Sequence, residues 1–301
     1  MNNLLTENCG VIPLFEVTTP QEFKNVDAIK YVAMNKLDGD LNNLIGKINL
    51  KGALNIIYKV GTNLQCLLLK NYYYVDIKPE NILFNCIDKY YEDVIIHLGD
   101  LGSIYKERKY KDMPKTYIPP KRLPIKRPDE SNPKLNHPKP ESNVNESDMV
   151  WNIGYLLVKL LKLSNVDYKK DIKSQEEYQK FLYKIMKNIG ETALSDPERR
   201  AGGTGMLKNI IKNTMGEKYT EYKLDGLIDY INKIIGELPA SPTQGENPYS
   251  DTSSVDNTSD NTSTGRSALS STHNGGSDNQ SHSSYNSIPD NIKIYMLQSF
   301  Y

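Results

Sequence analysis

Residues 76–81 read Asp-Ile-Lys-Pro-Glu-Asn, and the rest of the chain is best interpreted outward from this hexapeptide. Upstream, residues 49–70 carry apolar side chains at three- and four-residue spacing, which predicts an amphipathic helix. Downstream, the apolar run at 94–98 predicts a strand that leads into Asp100-Leu101-Gly102, 24 residues after Asp76. An isolated Asp-x-Gly is usually a turn, but these two motifs in this order form a specific pattern.

The hexapeptide resembles the catalytic loop of eukaryotic-type Ser/Thr protein kinases, and Asp100-Leu101-Gly102 resembles their Asp-Phe-Gly motif. The resemblance implies phosphoryl transfer with ATP and Mg²⁺ as cofactors. It assigns Asp76 to accept the substrate's hydroxyl proton and Lys78 to reach the transferring phosphate. Asn81 and Asp100 would bind the metal. Gly102 would permit the sharp turn that aims the Asp100 carboxylate.

Three further stretches match the kinase family in order. Residues 117–121 resemble the end of the activation segment, 147–154 the start of a buried central helix, and 196–200 the late Asp-Pro-x-x-Arg motif. At the end of the first stretch, where the family has an acidic residue, this chain has Lys121. We therefore expect repulsion from Arg200 where the family forms an ion pair.

Residues 31–41 resemble the last strand of the N-terminal lobe and the hinge that binds adenine. This resemblance implies a nucleotide site in which Met34 is the gatekeeper and the backbone of Asn35 and Leu37 contacts adenine. Asp40 would contact the ribose, and Leu83 would form the floor of the adenine pocket.

Only about thirty residues precede that hinge, too few for the Gly-rich loop, the strand Lys and the helix Glu of the family. No Gly-x-Gly-x-x-Gly lies there. Residues 26–30 imitate Val-Ala-Ile-Lys, but Lys30 stands only 46 residues before Asp76, which disfavours the strand-Lys role. The Gly-rich cluster at 202–205 predicts a helix connection, since it lacks the Lys of a phosphate-binding loop.

The resemblance implies a protein kinase-like α+β fold, with a mostly helical C-lobe, a vestigial N-lobe strand pair and a disordered tail. The expected parts are residues 1–37, the N-lobe remnant; 38–239, the C-lobe; and 240–301, the tail. An activation segment and a basic, Pro-rich insert would occupy 106–147.

Periodicity predicts the remaining elements. Helices are expected at 150–163, 176–189 and 224–236, and short strands at Val11–Val17 and Ile29–Asn35.

The tail differs sharply in composition from the rest of the chain. Residues 241–287 contain twenty Ser or Thr and almost no aliphatic residues, which predicts disorder. The apolar residues at 288–301 are either a docking peptide or, as we expect, a loosely attached terminus. In contrast to the tail, residues 106–139 hold eleven Lys or Arg against four acids. A solvated loop is the expected reading of that excess, with attraction of acidic partners as the alternative.

The cysteines and the overall charge set the expected environment. Cys9, Cys66 and Cys86 are odd in number and widely spaced, so we expect reduced thiols and a cytoplasmic location. The formal net charge is zero, and we find no nucleic-acid signal, no membrane span and no leader. Expected partners are a protein substrate or partner kinase, and a chain that supplies the missing lobe.

Three functions are compatible with these motifs. The first is a Ser/Thr protein kinase, and the second is a pseudokinase or truncated kinase that acts as a regulatory binding module. The third is a small-molecule phosphotransferase of kinase-like fold, which the Lys-Pro-Glu after Asp76 disfavours.

Overall fold

The computed structural model describes residues 9–13, 15–16, 30–74, 76–86, 88, 91–106, 119–123, 144–191, 194–240 and 292–297. They belong to one unit of the chain, residues 1–240 together with 290–301. The predicted disordered tail at 241–287 and most of the predicted basic insert lie outside the described residues. The described part is mostly helical, with small antiparallel sheets.

Seven α-helices lie in the described ranges: α1 Leu50–Leu69, α2 Glu146–Leu160, α3 Tyr168–Asp171, α4 Gln175–Glu191, α5 Asp196–Arg200, α6 Gly203–Met215 and α7 Leu224–Glu237. The helices predicted at 49–70, 176–189 and 224–236 are confirmed as α1, α4 and α7. In these described ranges, no helix is long and apolar enough to cross a membrane.

The predicted bounds of the central helix are wrong at both ends. Helix α2 begins at Glu146 because Asn145 forms a capping box, in which its side chain accepts from Asp148 N at 3.2 Å. Asp148 Oδ2 accepts in return from Asn145 N at 3.0 Å. This polar start has no apolar period to reveal it. The helix ends before Lys162, whose φ of 51° is left-handed.

Eight strands form three sheets in the described residues: β1 Phe15–Glu16, β2 Lys30–Asn35, β3 Gly39–Asp40, β4 Tyr73–Tyr74, β5 Ile82–Cys86, β6 Val94–Leu98, β7 Ile104–Tyr105 and β8 Ile292–Leu297. The strand orders are β1-β2-β8, β3-β5-β6 and β4-β7. Strands β2 and β6 match predicted runs. Among the described residues of the run at Val11–Val17, Val11 and Phe15–Glu16 pair with other strands.

The C-terminal residues differ from the expectation of a loosely attached terminus. Residues 292–297 form β8, which pairs antiparallel with all six residues of β2. The expected pair of N-lobe strands is therefore a three-stranded sheet. Sequence periodicity could not reveal this pairing, because its partners lie more than 250 residues apart.

Helix α2 is the centre of the core. Helices α1, α6 and α7 pack against it, and Trp151 within it is fully buried. Trp151 stacks on Tyr155 with ring centroids 5.6 Å apart and donates from Nε1 to Tyr178 Oη at 2.9 Å. Tyr178 in turn donates to the carbonyl of Met215. This pairing removes the cost of burying the polar atoms of two large aromatic side chains.

A buried carboxylate joins α5 to the start of α1. Glu198 Oε1 accepts from Leu50 N at 2.8 Å and Lys51 N at 3.3 Å. Its Oε2 accepts from Ser195 N at 2.9 Å. Asn49 accepts from Gly52 N at 2.7 Å, so the first three N–H groups of α1 all have acceptors. These hydrogen bonds therefore fix the start of α1, the helix that precedes the 76–81 loop.

The prediction of three reduced thiols is wrong for Cys9 and Cys66, which form a disulfide, while Cys86 is free. The two residues are 57 positions apart in sequence, yet their Cα atoms lie 5.2 Å apart, within the range that a disulfide needs. Beside this bond, Leu98 N donates to Gly10 O at 2.7 Å. The N-terminal segment thus lies along β6, the strand that precedes Asp100.

Gly154→Ala is expected to destabilise the protein, because α2 approaches α6 closely at this position. A Cβ there would lie 2.2 Å from Thr214 Oγ1, and Thr214 is fully buried. Overpacking of this kind costs about 1–3 kcal/mol. Urea unfolding should show a lower midpoint.

Gly190→Ala in α4 is the matched control, since a Cβ there meets no atom within 4 Å. Helix propensity predicts that this change is neutral or stabilising by up to about 1 kcal/mol. Equal midpoints for the two variants would contradict the close approach of α2 and α6.

Candidate functional site

The 76–81 loop is held by its apolar residues. Ile77 and Pro79 are buried, and they alternate with the polar residues of the loop. A 3-10 turn runs from Pro79 to Asn81, where Asn81 N donates to Lys78 O at 3.0 Å. The proline suits the first turn position, because it needs no backbone donor there. The chain then continues directly into β5.

The structure brings together four of the predicted site residues, Asp76, Lys78, Asn81 and Asp100, here called the Asp76 cluster. Asn81 Nδ2 donates to Asp76 Oδ2 at 2.9 Å and to the Asp76 carbonyl at 3.0 Å. The same nitrogen lies 3.4 Å from Asp100 Oδ2. Lys78 Nζ forms an ion pair with Asp76 Oδ2. One carboxamide therefore bridges the two carboxylates.

Asp76 combines deep burial with an unused acceptor atom. The residue is 2% exposed, and its Oδ1 has no hydrogen-bond partner among the described residues. A buried polar atom without a partner costs about 1–3 kcal/mol, so such atoms are few in folded proteins. Its second oxygen is satisfied twice, which fixes the carboxylate and leaves Oδ1 able to accept a proton.

Asp100 adopts the strained backbone at the second motif. Its φ of 43° and ψ of 70° are left-handed, a conformation that costs a non-glycine residue about 1–2 kcal/mol. The expectation that Gly102 supplies the sharp turn is therefore corrected, since the left-handed residue is Asp100 itself. Gly102 serves instead by lacking a side chain, because a Cβ would lie 3.3 Å from Asp100 Oδ1. Ser103 Oγ donates to Asp100 Oδ2 at 2.9 Å and orients the carboxylate.

Tyr74 ties the two motifs together, a role that the motif search did not assign. Its buried hydroxyl donates to Gly99 O at 2.8 Å and lies 3.4 Å from Asn81 O. Gly99 N donates to the same Asn81 carbonyl at 2.7 Å. Burial, with the charges of Asp100 and Asp76, raises the pKa of Tyr74 far above its usual value. The phenol therefore stays neutral and keeps its proton for donation. The aromatic residue two positions before Asp76 was the available sequence signal.

The predicted nucleotide contacts are divided between two sheets. Asp40 pairs with Leu83 across β3 and β5, so the predicted ribose contact and the predicted floor are neighbours. The Asp40 carboxylate accepts from Asn42 N at 2.9 Å and caps the turn at 41–44.

Met34 and Asn35 lie in β2, which belongs to the other sheet, and Leu37 follows in the connection to β3. Among the described residues, no hydrogen bond joins Met34, Asn35 or Leu37 to the Asp76 cluster.

We expected Lys121 to repel Arg200, but the structure instead pairs Lys121 with acceptors at the start of α2. Its Nζ lies 3.3 Å from Asp148 Oδ1 and donates to Asn145 Oδ1 at 3.0 Å and Ser147 Oγ at 3.1 Å. Arg200 is exposed. The lysine thus fastens residues 119–123 to the start of α2.

The side chains of the Asp76 cluster have the chemistry of a Mg²⁺ site. Mg²⁺ prefers hard oxygen ligands, which carboxylates and a carboxamide oxygen provide. Asp100 is exposed and Asp76 keeps an unpaired oxygen, so both carboxylates retain acceptor capacity. Within the described ranges, no group of three or more His, Cys, Asp or Glu is arranged to hold a metal. The cluster therefore offers two predicted metal ligands, the Asp100 carboxylate and the Asn81 carboxamide oxygen, while Asp76 Oδ1 remains for a proton.

A separate polar cleft of about 430 Å³ lies where the end of α1 meets the starts of α2 and α7. Leu69, Asn71, Glu146 and Lys223 line it, and Lys223 pairs with Glu146 at 3.1 Å. No member of the Asp76 cluster lines this cleft.

No protein-family model matches the chain, and no curated protein matches it. The family resemblance therefore depends on the motifs and on the geometry of the Asp76 cluster.

Lys121→Ala is expected to lower the free energy of unfolding by about 1–3 kcal/mol, because it leaves a buried carboxylate without its cation. The side chains of Lys121 and Asp148 are only 19% and 7% exposed. Urea unfolding measures the change. Lys121→Arg should retain most of the stability, and Lys106→Ala, at an exposed position, should change it by less than about 0.5 kcal/mol. Equal losses for Lys121→Ala and Lys106→Ala would show that the ion pair contributes nothing.

Proposed function

We propose that this chain is a protein kinase that transfers a phosphoryl group from ATP to Ser or Thr hydroxyls of proteins, with Mg²⁺ as cofactor. The observation that carries the proposal is the Asp76 cluster, in which Asn81 bridges the carboxylates of Asp76 and Asp100. Phosphoryl transfer requires mainly positioning and charge stabilisation, and these residues provide both within one small volume.

The proposed reaction assigns one task to each residue of the loop. Asp76 Oδ1, which is buried and has no described partner, takes the proton of the acceptor hydroxyl. A bond forms between the acceptor hydroxyl oxygen and the γ-phosphorus, and the bond from phosphorus to the leaving ADP oxygen breaks. Lys78 places its ammonium beside the transferring group, since its ion pair with Asp76 holds it at the acceptor side.

ATP and Mg²⁺ supply the transferred group and the neutralising charge. Asp100 and Asn81 would hold the metal, because the first is exposed and both offer oxygen ligands. Ser103 and Tyr74 keep the turn at 99–103 in place through the Asp100 carboxylate and the Gly99 carbonyl. We infer a kinase-like fold from the succession of α1, the loop, β5, β6, the turn and the buried α2.

A binding module without catalysis is the second candidate, and the position of Lys30 favours it. Lys30 begins β2, the same strand that holds Met34 and Asn35. A strand Lys of the kinase family would stand on another strand and reach the phosphates. No glycine-rich phosphate loop lies in the described ranges ahead of β3. Without these donors, the phosphates have less to hold them in line.

ATP–Mg²⁺ is therefore expected to bind the isolated chain weakly, with a Kd no tighter than high micromolar, or about 5–6 kcal/mol. Isothermal titration calorimetry measures this directly. Low-micromolar binding would contradict the expectation and would require phosphate donors other than the Asp76 cluster.

Asp76→Asn and Asp100→Asn are expected to abolish detectable transfer. Loss of a general base costs 10²–10⁴-fold in rate, and loss of the Asp100 carboxylate weakens the metal site. The assay is transfer of labelled γ-phosphate to a generic basic protein, with variants purified alike. Asp93→Asn is the matched control, because this carboxylate is 63% exposed and lies outside the cluster.

The outcomes separate the candidate functions. Activity that survives both cluster substitutions would mean that the site is elsewhere. An inactive but folded wild-type chain would support the binding module. Activity that appears only when a partner supplies an N-lobe would show that the chain is half of an enzyme.

A further inference from the structure

Among the described residues, strand β2 has most of its pairing with the C-terminus. On one side, β1 pairs two described residues with it, Phe15 with Ala33 and Glu16 with Val32. On the other side, β8 pairs with all six, from Lys30 with Leu297 to Asn35 with Ile292. An isolated two-stranded ribbon is marginally stable in water at best, whereas three strands provide cooperative pairing. Loss of β8 would leave β2 with a two-residue partner.

The strand leads directly to the candidate site. Asn35 ends β2, and three residues later Asp38 N donates to Phe84 O at 3.0 Å. The Asp38 carboxylate accepts from Cys86 N at 2.8 Å. The segment after β2 is thus fastened to β5, the strand that begins at the end of the 76–81 loop. The position of the predicted hinge therefore depends on whether β2 is ordered.

The chain between α7 and β8 can deliver the strand. About 50 residues separate residue 240 from β8, and their Ser- and Thr-rich composition is the basis on which the sequence predicts disorder. A random coil of that length has an end-to-end distance of about 40 Å, which corresponds to an effective concentration on the order of 1 mM. Pairing within one chain is therefore favoured over pairing between copies at ordinary protein concentrations.

We propose that residues 292–297 are a strand supplied in cis that completes the β2 sheet and orders residues 30–37. The proposed pairing of β8 with β2 is independent of the kinase proposal. Its effect on nucleotide binding rests on that proposal.

The test is hydrogen exchange of the β2 amides in the full chain, followed by mass spectrometry. Neighbouring N–H groups of a strand point in opposite directions, so one of two consecutive residues in β8 donates to β2. A double variant, Ile294→Pro with Tyr295→Pro, therefore removes a donor of this ladder. Exchange at residues 30–35 should become at least about tenfold faster, while the amides of α1 and α2 stay protected. Ser283→Pro/Ser284→Pro in the tail is the matched control and should change nothing.

A second variant, with the chain ended after Pro289, should show the same loss of protection. A peptide of residues 290–301 at about 1 mM, near the effective concentration of the tether, should restore it, and a scrambled peptide should not. Unchanged exchange at 30–35 in both variants would overturn the proposal. Protection that rises with protein concentration would overturn pairing in cis in favour of exchange between copies.

Nucleotide titration of the same variants separates the two proposals. Weaker ATP–Mg²⁺ binding together with faster exchange would support a strand that orders the hinge. Faster exchange without any nucleotide binding, in wild type or variants, would keep the strand and overturn the kinase proposal.

Discussion

The carboxamide and carbonyl of Asn81 are the constraint on which the candidate site depends. The side chain binds Asp76 twice and lies 3.4 Å from the Asp100 carboxylate. The carbonyl accepts from Gly99 N at 2.7 Å. One residue therefore joins the loop before β5 to the turn after β6, and two like charges stay close because a donor lies between them. The left-handed backbone of Asp100 is held by these contacts and by Ser103.

Charged groups at helix starts hold the frame around this site. Glu198 places a carboxylate where α1 and α5 expose their N–H groups, an arrangement that the helix dipole favours. Lys121 is placed at the start of α2, where the same dipole disfavours a cation by about 0.3–1 kcal/mol. Its ion pair with the nearly buried Asp148 and its two hydrogen bonds outweigh that penalty. The inverted charge at 121 is thus compensated locally, without Arg200.

The sequence predicted what local patterns encode. Apolar periodicity located α1, α4 and α7, and motif spacing selected Asp76, Asn81 and Asp100, which the fold then brings together. Contacts between distant segments could not be predicted. Nothing near Cys9 indicates Cys66, nothing near Lys121 indicates Asp148, and the apolar pattern at 292–297 does not name β2 as its partner. Apolar periodicity placed the start of α2 at residue 150 rather than Glu146, because a cap is one polar residue with no period, whereas the motif match at 147–154 came within one residue of it.

The charge balance of the Asp76 cluster limits how a nucleotide can enter it. The cluster contains two carboxylates and one ammonium, and that ammonium is already paired with Asp76. A triphosphate approaching these side chains alone would meet net negative charge, and buried charges interact strongly at short range. On the proposed function, divalent cations would reverse this balance, and the nucleotide would enter as its Mg²⁺ complex. Catalysis would then depend on how firmly Asp100 and Asn81 hold the metal, since Lys78 is the one lysine of the cluster.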